Sequence, residues 1–301
     1  MGTAIDLGLI YAITALGVFL TFRILDLPDL TVDGSFTTGA AVATKLIVSG
    51  YSPLLATGAA IVAGALAGFI TGLLHTKGNI NGLLAGILTM IALYSINLRI
   101  MEKANLPLLR EETLFSTMQS SGLLGTTQSI LLLAAVAIVV KLVIDWFLHT
   151  EIGLSIQATG DNQEMIRSLG VNTDHTKIWG LSISNGLVGL SGAMIAQYQG
   201  YADIGMGIGL ILVGLASVII GQAIFRSNKI VIATFAVIVG AVLYRIVIKF
   251  ALDIEWFDPS DMKLVSAVLV IIALIVPQWS VFRRQPRVNG GAAVRSGGGE
   301  Q

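Results

Sequence analysis

TEIGLSIQATGDNQEMIRSLG, residues 150–170, is the longest polar break in a chain that is otherwise almost continuously apolar. Small residues come first (Gly153, Ser155, Ala158, Thr159, Gly160), followed by a short amphipathic run. Ile156, Met165, Ile166 and Leu169 can offer an apolar side, while Asp161, Asn162, Glu164 and Arg167 stay in water. A loop of this kind, hung from apolar helices, suits docking against a soluble partner. The plain alternative is a solvated connection containing one helical turn, since polar loops are the ordinary link between membrane helices.

The flanks of this loop decide the solvent. The 301 residues are 54% hydrophobic and 12% charged, with a mean hydropathy of +0.83. Soluble domains carry about 25% charged residues, so these side chains require a nonaqueous medium. Several runs of roughly 20 residues carry few charges and are long enough to cross roughly 30 Å of hydrocarbon as helices. They do not alternate apolar and polar as barrel strands do. The fold class expected is all-α, a polytopic helical membrane protein.

Composition also excludes chemistry. There is no cysteine, hence no disulfide and no thiolate metal site. The sequence has no phosphate-cradling GxxxxGK[ST], no HExxH and no GxSxG. His75, His149 and His175 are not at metal-ligand spacing. GMGIG, residues 205–209, lacks the preceding strand and the spacing of a dinucleotide loop. No catalytic residues, metal, cofactor or nucleic-acid partner are expected. The start of the chain lacks a basic region before its apolar run, so that run is expected to remain as a helix. No series of acidic residues along the spans marks an internal proton relay. A transporter built this way must draw its energy from outside itself.

About nine membrane segments of this kind can be placed along the chain. They are residues 5–25, a short second segment before Val48, 53–74, 80–101, 123–148, 178–199, an apolar run to Phe225, 230–252 and 264–280. The second, TVDGSFTTGAAVA (31–43), reads as broken or partly re-entrant, with Asp33 as a helix cap. Gly64, Gly68 and Gly72 share one helix face and let a neighbouring helix approach. Lys141 and Asp145 are spaced to pair.

With residues 149–177 taken as cytoplasmic, Arg23, Lys77, Arg226, Lys229, Arg283, Arg284 and Arg287 fall inside. The N-terminus then lies outside and the C-terminus inside. Arg99, Lys103, Arg110, Arg245 and Lys249 depart from this rule. Most of them can snorkel or pair with Glu102, Asp253 or Glu255.

The order long, short, long, long occurs in 5–101 and again in 178–280, with opposite starting sides and 123–148 as the linking span. This is the pattern of an inverted repeat around a transport path. TVDGSFTTGAAVA and ADIGMGIGLILVGLA (202–216) are the corresponding broken segments. Candidate pathway residues are Asp33, Ser35, Thr37, Thr38, Asn81, Thr89, Asn97 and Asn185. Interhelical hydrogen bonding is the alternative reading for the amides among them. Residues 283–301 form a basic, then Gly-rich tail that reads as disordered and cytoplasmic, following a permease-like body of 1–282.

Residues 150–194 resemble the cytoplasmic loop and following helix of the inner-membrane permeases of ABC importers, the group that includes branched-chain amino acid and ribose permeases. The loop positions that match are Thr150, Gly153, Ala158, Gly160, Asn162, Met165, Leu169 and Gly170. LPDLTVDGSFTTGAAVA (27–43) and GLASVIIGQAIF (214–225) look like further signatures of that group. NINGLLAGILTMIALYSINLRIM (79–101) is similar to a subgroup associated with aromatic amino acids. The resemblance implies a permease of the bacterial plasma membrane that hydrolyses no ATP itself. Its implied partners are a cytoplasmic ABC ATPase gripping the central loop (Asp161 included), an extracytoplasmic solute-binding protein, a second permease copy, the lipid bilayer and a small-molecule solute. Gln157 and Thr159 depart from the branched-chain pattern, which leaves the identity of the ATPase open. A carrier or channel driven by an ion gradient, a membrane enzyme and a noncatalytic anchor are the rival classes.

Overall fold

The computed structural model describes residues 1–108, 111–225, 227, 229–253, 264, 267, 268, 270 and 271. The chain begins with α1 (Gly2–Phe19), which widens into a π-helical turn, Leu20–Ile24. Then come α2 (Thr31–Val48), α3 (Pro53–Thr76) and α4 (Gly82–Met101). A short strand β1 (Asn105–Pro107) and a single turn α5 (Ser116–Ser120) lead to α6 (Thr127–Leu148). Two short helices, α7 (Glu151–Asp161) and α8 (Gln163–Ser168), precede the long α9 (Thr173–Gln199). Strand β2 (Tyr201–Asp203), α10 (Leu210–Ile224) and α11 (Ile230–Leu252) follow.

The starts of these helices are written in their caps. Ser52 accepts a hydrogen bond from Leu55 N with Pro53 behind it, and Asn81 accepts from Leu83 N. Thr150, Asn162 and Asn172 do the same for α7, α8 and α9. Each side-chain oxygen satisfies a backbone N–H that the first helical turn leaves unpaired.

Six helices among the described residues are long and apolar enough to cross a bilayer: α1 with its π-turn, α3, α4, α6, α9 and α11. α10 is apolar but shorter. The second segment differs from its expected form. α2 is short yet unbroken, and Thr37 and Thr38 bond back to the carbonyls of Asp33 and Gly34 within it. Its glycines admit neighbouring helices and do not interrupt it. The expected last span, the acidic loop after Asp253, Arg110, Arg226 and the tail lie wholly or mostly outside the described residues.

Burial separates the helices into two kinds. The most apolar stretch of α1 is 83% buried and that of α9 is 78% buried, against 28% for α4 and α6. α1 and α9 are therefore the core, and α4 and α6 present their apolar faces outward. α9 packs on α3, α2 and α1; α1 packs on α11, α10 and α6. The α3–α9 contact is backbone on backbone. A Cβ added at Gly64 would lie 2.3 Å from Asn185 O, and one at Gly68 only 2.2 Å from Leu181 O. At Gly72 it would meet Ile178 Cα at 2.9 Å.

The bundle has two ends. At one, β1 pairs antiparallel with β2, Asn105 opposite Asp203. Asp6 there accepts from Gly125 N at 2.8 Å, Ser129 Oγ at 2.8 Å and Tyr198 OH at 3.1 Å. Lys45 ties α2 to the end of α4 through Glu102 at 2.8 Å. That bond, together with the Lys45 charge, holds the Glu102 carboxyl below its ordinary range. The other end carries α7, α8, the α3–α4 turn and the π-turn.

Several expected charge pairs take definite form. Lys141 and Asp145 pair in a buried site, and Thr234 Oγ1 donates to Asp145 at 2.7 Å. Lys249 reaches Asp253 at 3.7 Å, and the Arg245 guanidinium lies 3.8 Å over the Tyr11 ring.

Substituting Gly68→Leu should lower the thermal unfolding temperature in detergent by the equivalent of about 3 kcal/mol or more, because α3 and α9 must separate. Gly58, on the same helix, where an added Cβ would meet nothing within 4 Å, is the control. Gly58→Leu should leave the unfolding temperature within about 0.5 kcal/mol of the parent or raise it slightly.

Candidate functional site

The polar break is two helices, not a loop with one turn. Thr150 caps α7, Asn162 both ends α7 and caps α8, and Gly170 closes α8 with a positive φ of 88°. The four apolar residues expected to share a side divide instead. Ile156 and Ile166 turn inward, at 1% and 8% exposure, while Met165 and Leu169 project outward at 50% and 71%. Leu154 and Ile152 are exposed beside them. Among the remaining expected residues, Asp161 and Asn162 are exposed and Ala158 is half-buried.

Gly153 and Gly160 belong to the inner side. A Cβ at Gly160 would lie 2.0 Å from Ile24 O, so α7 rests directly on the π-turn that ends α1. Gly153 similarly faces Phe147 O at the end of α6. Thr159 Oγ1 meets Thr176 Oγ1 at 3.0 Å, and Gln157 Nε2 donates to Leu148 O at 2.6 Å. The two short helices are thus fastened to α1, α6 and α9 at once. A polar crevice of ≈ 620 Å³ beside them is lined by Arg23, Gln157, Asp161, Gln222 and the start of α11.

A second site lies within the bundle. A pocket of ≈ 460 Å³ is lined by Asp33, Thr37, Asn97, Met90, Tyr94 and Ser95, and closed by Ile204 and Ile208 of the segment after β2. The strand leaves the ladder at Asp203, and six residues separate it from α10. The Asp33 side chain accepts from Gly209 N at 2.8 Å and Ile211 N at 2.9 Å, capping α10 from another helix. Gly207 fits over Asp33 O, where a Cβ would be at 2.0 Å. Irregular backbone inside a membrane protein is stable only when its polar groups find such partners. Here a carboxylate at the positive end of α10 supplies them.

Three of the expected pathway residues, Asp33, Thr37 and Asn97, therefore meet in one pocket. Asn97 is buried there, with Nδ2 3.5 Å from Gly34 O and Oδ1 without a partner among the described residues. The others are elsewhere. Asn81 is the exposed cap of α4. Thr89 is buried and bonds back to Ala85 O. Ser35 is buried with its hydroxyl unpartnered. Asn185 lies in the core and donates to Asp29 at 2.6 Å and to Leu181 O at 2.9 Å.

Sequence reasoning named Asp33 and Asp145 but missed Asp6 and Asp29, and it did not foresee that carboxylates would be buried. Asp6, Asp29 and Asp145 are buried and Asp33 is half-buried, each accepting from backbone amides, hydroxyls or an asparagine. They sit at helix ends in the sequence, so nothing in the local pattern marks them as interior. Met90, Tyr94 and Ser95 were equally unmarked, because an apolar helix face looks the same toward lipid and toward a pocket.

Comparison with known proteins places these features. The family profile described as "Branched-chain amino acid transport system / permease component" matches residues 2–275. The tyrosine transport system permease protein of Clostridioides difficile is 44% identical over 267 residues, covering 89% of this chain and 88% of that protein. An uncharacterized protein of Rickettsia prowazekii, RP368, is 37% identical over 276 residues, covering 90% and 95%. The ribose import permease protein RbsC of Escherichia coli K12 is 24% identical, covering 88% and 81%. Among solved structures, PsaBC from Streptococcus pneumoniae in complex with Fab shares the fold with a TM-score of 0.53 at 14% identity, covering 91% of this chain and 88% of that one.

Removing the trans cap tests the pocket's construction. Asp33→Ala should destabilise the protein by about 2–4 kcal/mol, since two amide donors lose their carboxylate acceptor at a half-buried position. Hydrogen exchange across residues 204–212 should rise in that variant while the β1–β2 ladder stays protected. Asp33→Asn, which keeps one acceptor oxygen, should fall between the variant and the parent.

Proposed function

The chain belongs to the family of permease components of branched-chain amino acid transport systems, and from that premise we propose that it passes an amino acid, an aromatic one such as tyrosine, through a path driven by an ATPase docked on α7 and α8. As the permease subunit of an ABC-type transporter it is a multi-pass membrane protein whose task is transport. The amino acid cargo rests on the printed name of the 44% identical relative.

The observation that carries the coupling role is the exposed pair Met165 and Leu169 on α8, beside Leu154 on α7. Apolar side chains held outward on a polar, rigidly fastened foot suit a protein cleft, where such residues supply most of the contact energy. In this reading Asp161 and Asn162 flank the contact. Gly160 acts differently from the role expected of it: it seats α7 on Ile24 O, so motion of the foot passes straight into α1.

The α7–α8 end is assigned to the cytoplasm. Arg23, Lys77, Arg167 and Lys177 gather there, as cytoplasmic connections require. The β1–β2 end, with the N-terminus, then faces outward and receives a solute-binding protein. Two copies pair so that the pocket of Asp33, Thr37 and Asn97 opens toward their shared path. The part of α4 from Met90 to Asn97, which lines the pocket, is the natural boundary of that path.

An inverted repeat accounts for the packing. α1 lies on α10 and α11, while α9 lies on α2 and α3; α2 pairs with α3 as α10 pairs with α11. Exchanging the first three helices for the last three reproduces these neighbours. Switching between outward and inward states is then a rigid rocking of the halves.

Met165→Asp combined with Leu169→Asp should reduce solute-stimulated ATP hydrolysis in proteoliposomes by about tenfold or more. Both side chains are exposed, so membrane insertion and thermal stability should be unchanged. Normal stimulation in this variant would overturn the docking assignment. Uptake by the permease alone, without ATP, would instead establish a gradient-driven carrier.

A further inference from the structure

At the α7–α8 end, the turn between α3 and α4 and the start of α9 enclose a second polar pocket, of ≈ 270 Å³. Its lining includes His75, Asn79, Asn81, Gln163, Arg167, Asp174 and Lys177. Lys77, from the same turn, joins it by pairing with Asp174 at 3.4 Å. Arg167 reaches the same carboxylate at 3.9 Å and donates to Thr173 Oγ1 at 2.9 Å. Lys177 is half-buried; its Nζ lies 3.3 Å from His75 Nε2, and it forms no ion pair among the described residues.

The charges do not balance. Lys77, Arg167 and Lys177 face one carboxylate, Asp174, which two of them already share. The surplus cation is Lys177, held by an imidazole that cannot neutralise it. Lys77 and Arg167 are 59% and 62% exposed and stay partly hydrated, so the half-buried Lys177 is the cation that gains most from an anion in the pocket.

The surroundings say where the anion comes from. Leu83, Leu84 and Leu88 rise from the pocket along the outward face of α4, all exposed. Trp179 near the start of α9 and Trp146 near the end of α6 are exposed at the corresponding ends of their helices, where the aromatic belt of a membrane protein lies. A ligand here would have its head among the cations and its tails against leucines. Basic pockets between helix ends on the cytoplasmic side take lipid headgroups in this manner.

We infer that this pocket binds the phosphate headgroup of an anionic phospholipid, with its acyl chains lying along α4. Arg167 sits on α8, so lipid occupancy couples the foot of the permease to the membrane composition. The proposal goes beyond transport and does not depend on which solute is carried.

The test uses the purified full-length permease, stripped of lipid and exposed to dioleoyl phosphatidylglycerol or dioleoyl phosphatidylcholine, with retention read by native mass spectrometry. Phosphatidylglycerol should be retained in preference. Lys77→Gln and Lys177→Gln should each weaken its retention roughly fivefold, with phosphatidylcholine unaffected. Asp174→Asn, which frees two cations, should strengthen it, and this opposite sign separates binding from mere loss of folding. Equal retention of the two lipids, or unchanged retention in all three variants, would overturn the proposal. So would saturation of the site by inorganic phosphate alone. Loss of ATPase association in the lysine variants with phosphatidylglycerol retention intact would likewise overturn it, assigning the pocket to the protein partner.

Discussion

The structure depends on how closely backbones approach α9. A hydrocarbon solvent gives helices no hydrophobic reason to associate, so association rests on close van der Waals fit and a few interhelical hydrogen bonds. α9 meets both needs. Gly64, Gly68 and Gly72 bring α3 onto its carbonyls. Ser184 donates to Gly17 O at 2.7 Å and Ser191 to Ile10 O at 2.9 Å, binding α1 along its other side. Asn185 turns to Asp29 between α1 and α2, joining a third neighbour. The same helix starts at Asn172, immediately after the foot formed by α7 and α8. The short helices and the core helix are therefore joined by a connection of only a few residues.

Against this close packing, the backbone between β2 and α10 departs from regular structure inside the bundle. The chain turns from β2 to α10 through residues 204–209; local bonds satisfy most of its amides, and Asp33 takes those of Gly209 and Ile211. The cap lies on α2, which is itself clamped between α9, α3 and α4. An irregular stretch is thereby pinned at one end by a carboxylate and at the other by the β1–β2 ladder. The pocket of Asp33, Thr37 and Asn97 lies against it. Polar backbone and side chains in that pocket are thus positioned by the most tightly packed part of the molecule, as a site needing fixed geometry requires.

What the sequence revealed follows the range of the interactions involved. Apolar runs and the spacing of Lys141 and Asp145 are local, and among the described residues they appear where the pattern puts them, whereas Asn81, expected on the pathway, caps α4. Glycines at four-residue spacing on α3 correctly announced a neighbour without naming α9. The polar break was visible as a break, but its two-helix form hung on Asn162, which serves as the end of one helix and the cap of the next. Amphipathic spacing could not tell Ile166, packed inward, from Met165, turned outward, because adjacent positions differ only by what tertiary structure places beneath them. Asp33 was recognised as a cap for the wrong helix. Its partners lie 176 and 178 residues away, and no local signal records them.

The junction of α7 with α1 shows why the end of α1 is a π-turn. In such a turn the ladder widens by one residue and carbonyls leave their usual direction. Leu25 N then bonds to Leu20 O at 2.9 Å and Leu27 N to Thr21 O at 2.9 Å, leaving Ile24 O to face the Gly160 backbone. A side chain at that contact could change rotamer and absorb a displacement of α7. Carbonyl on glycine has no such freedom, so a shift of α7 must move the end of α1 or open a gap. α1 is itself buried against α9, α10 and α11. A displacement of α7 would thus bear on α1 through this contact and on α9 through the Thr159–Thr176 bond.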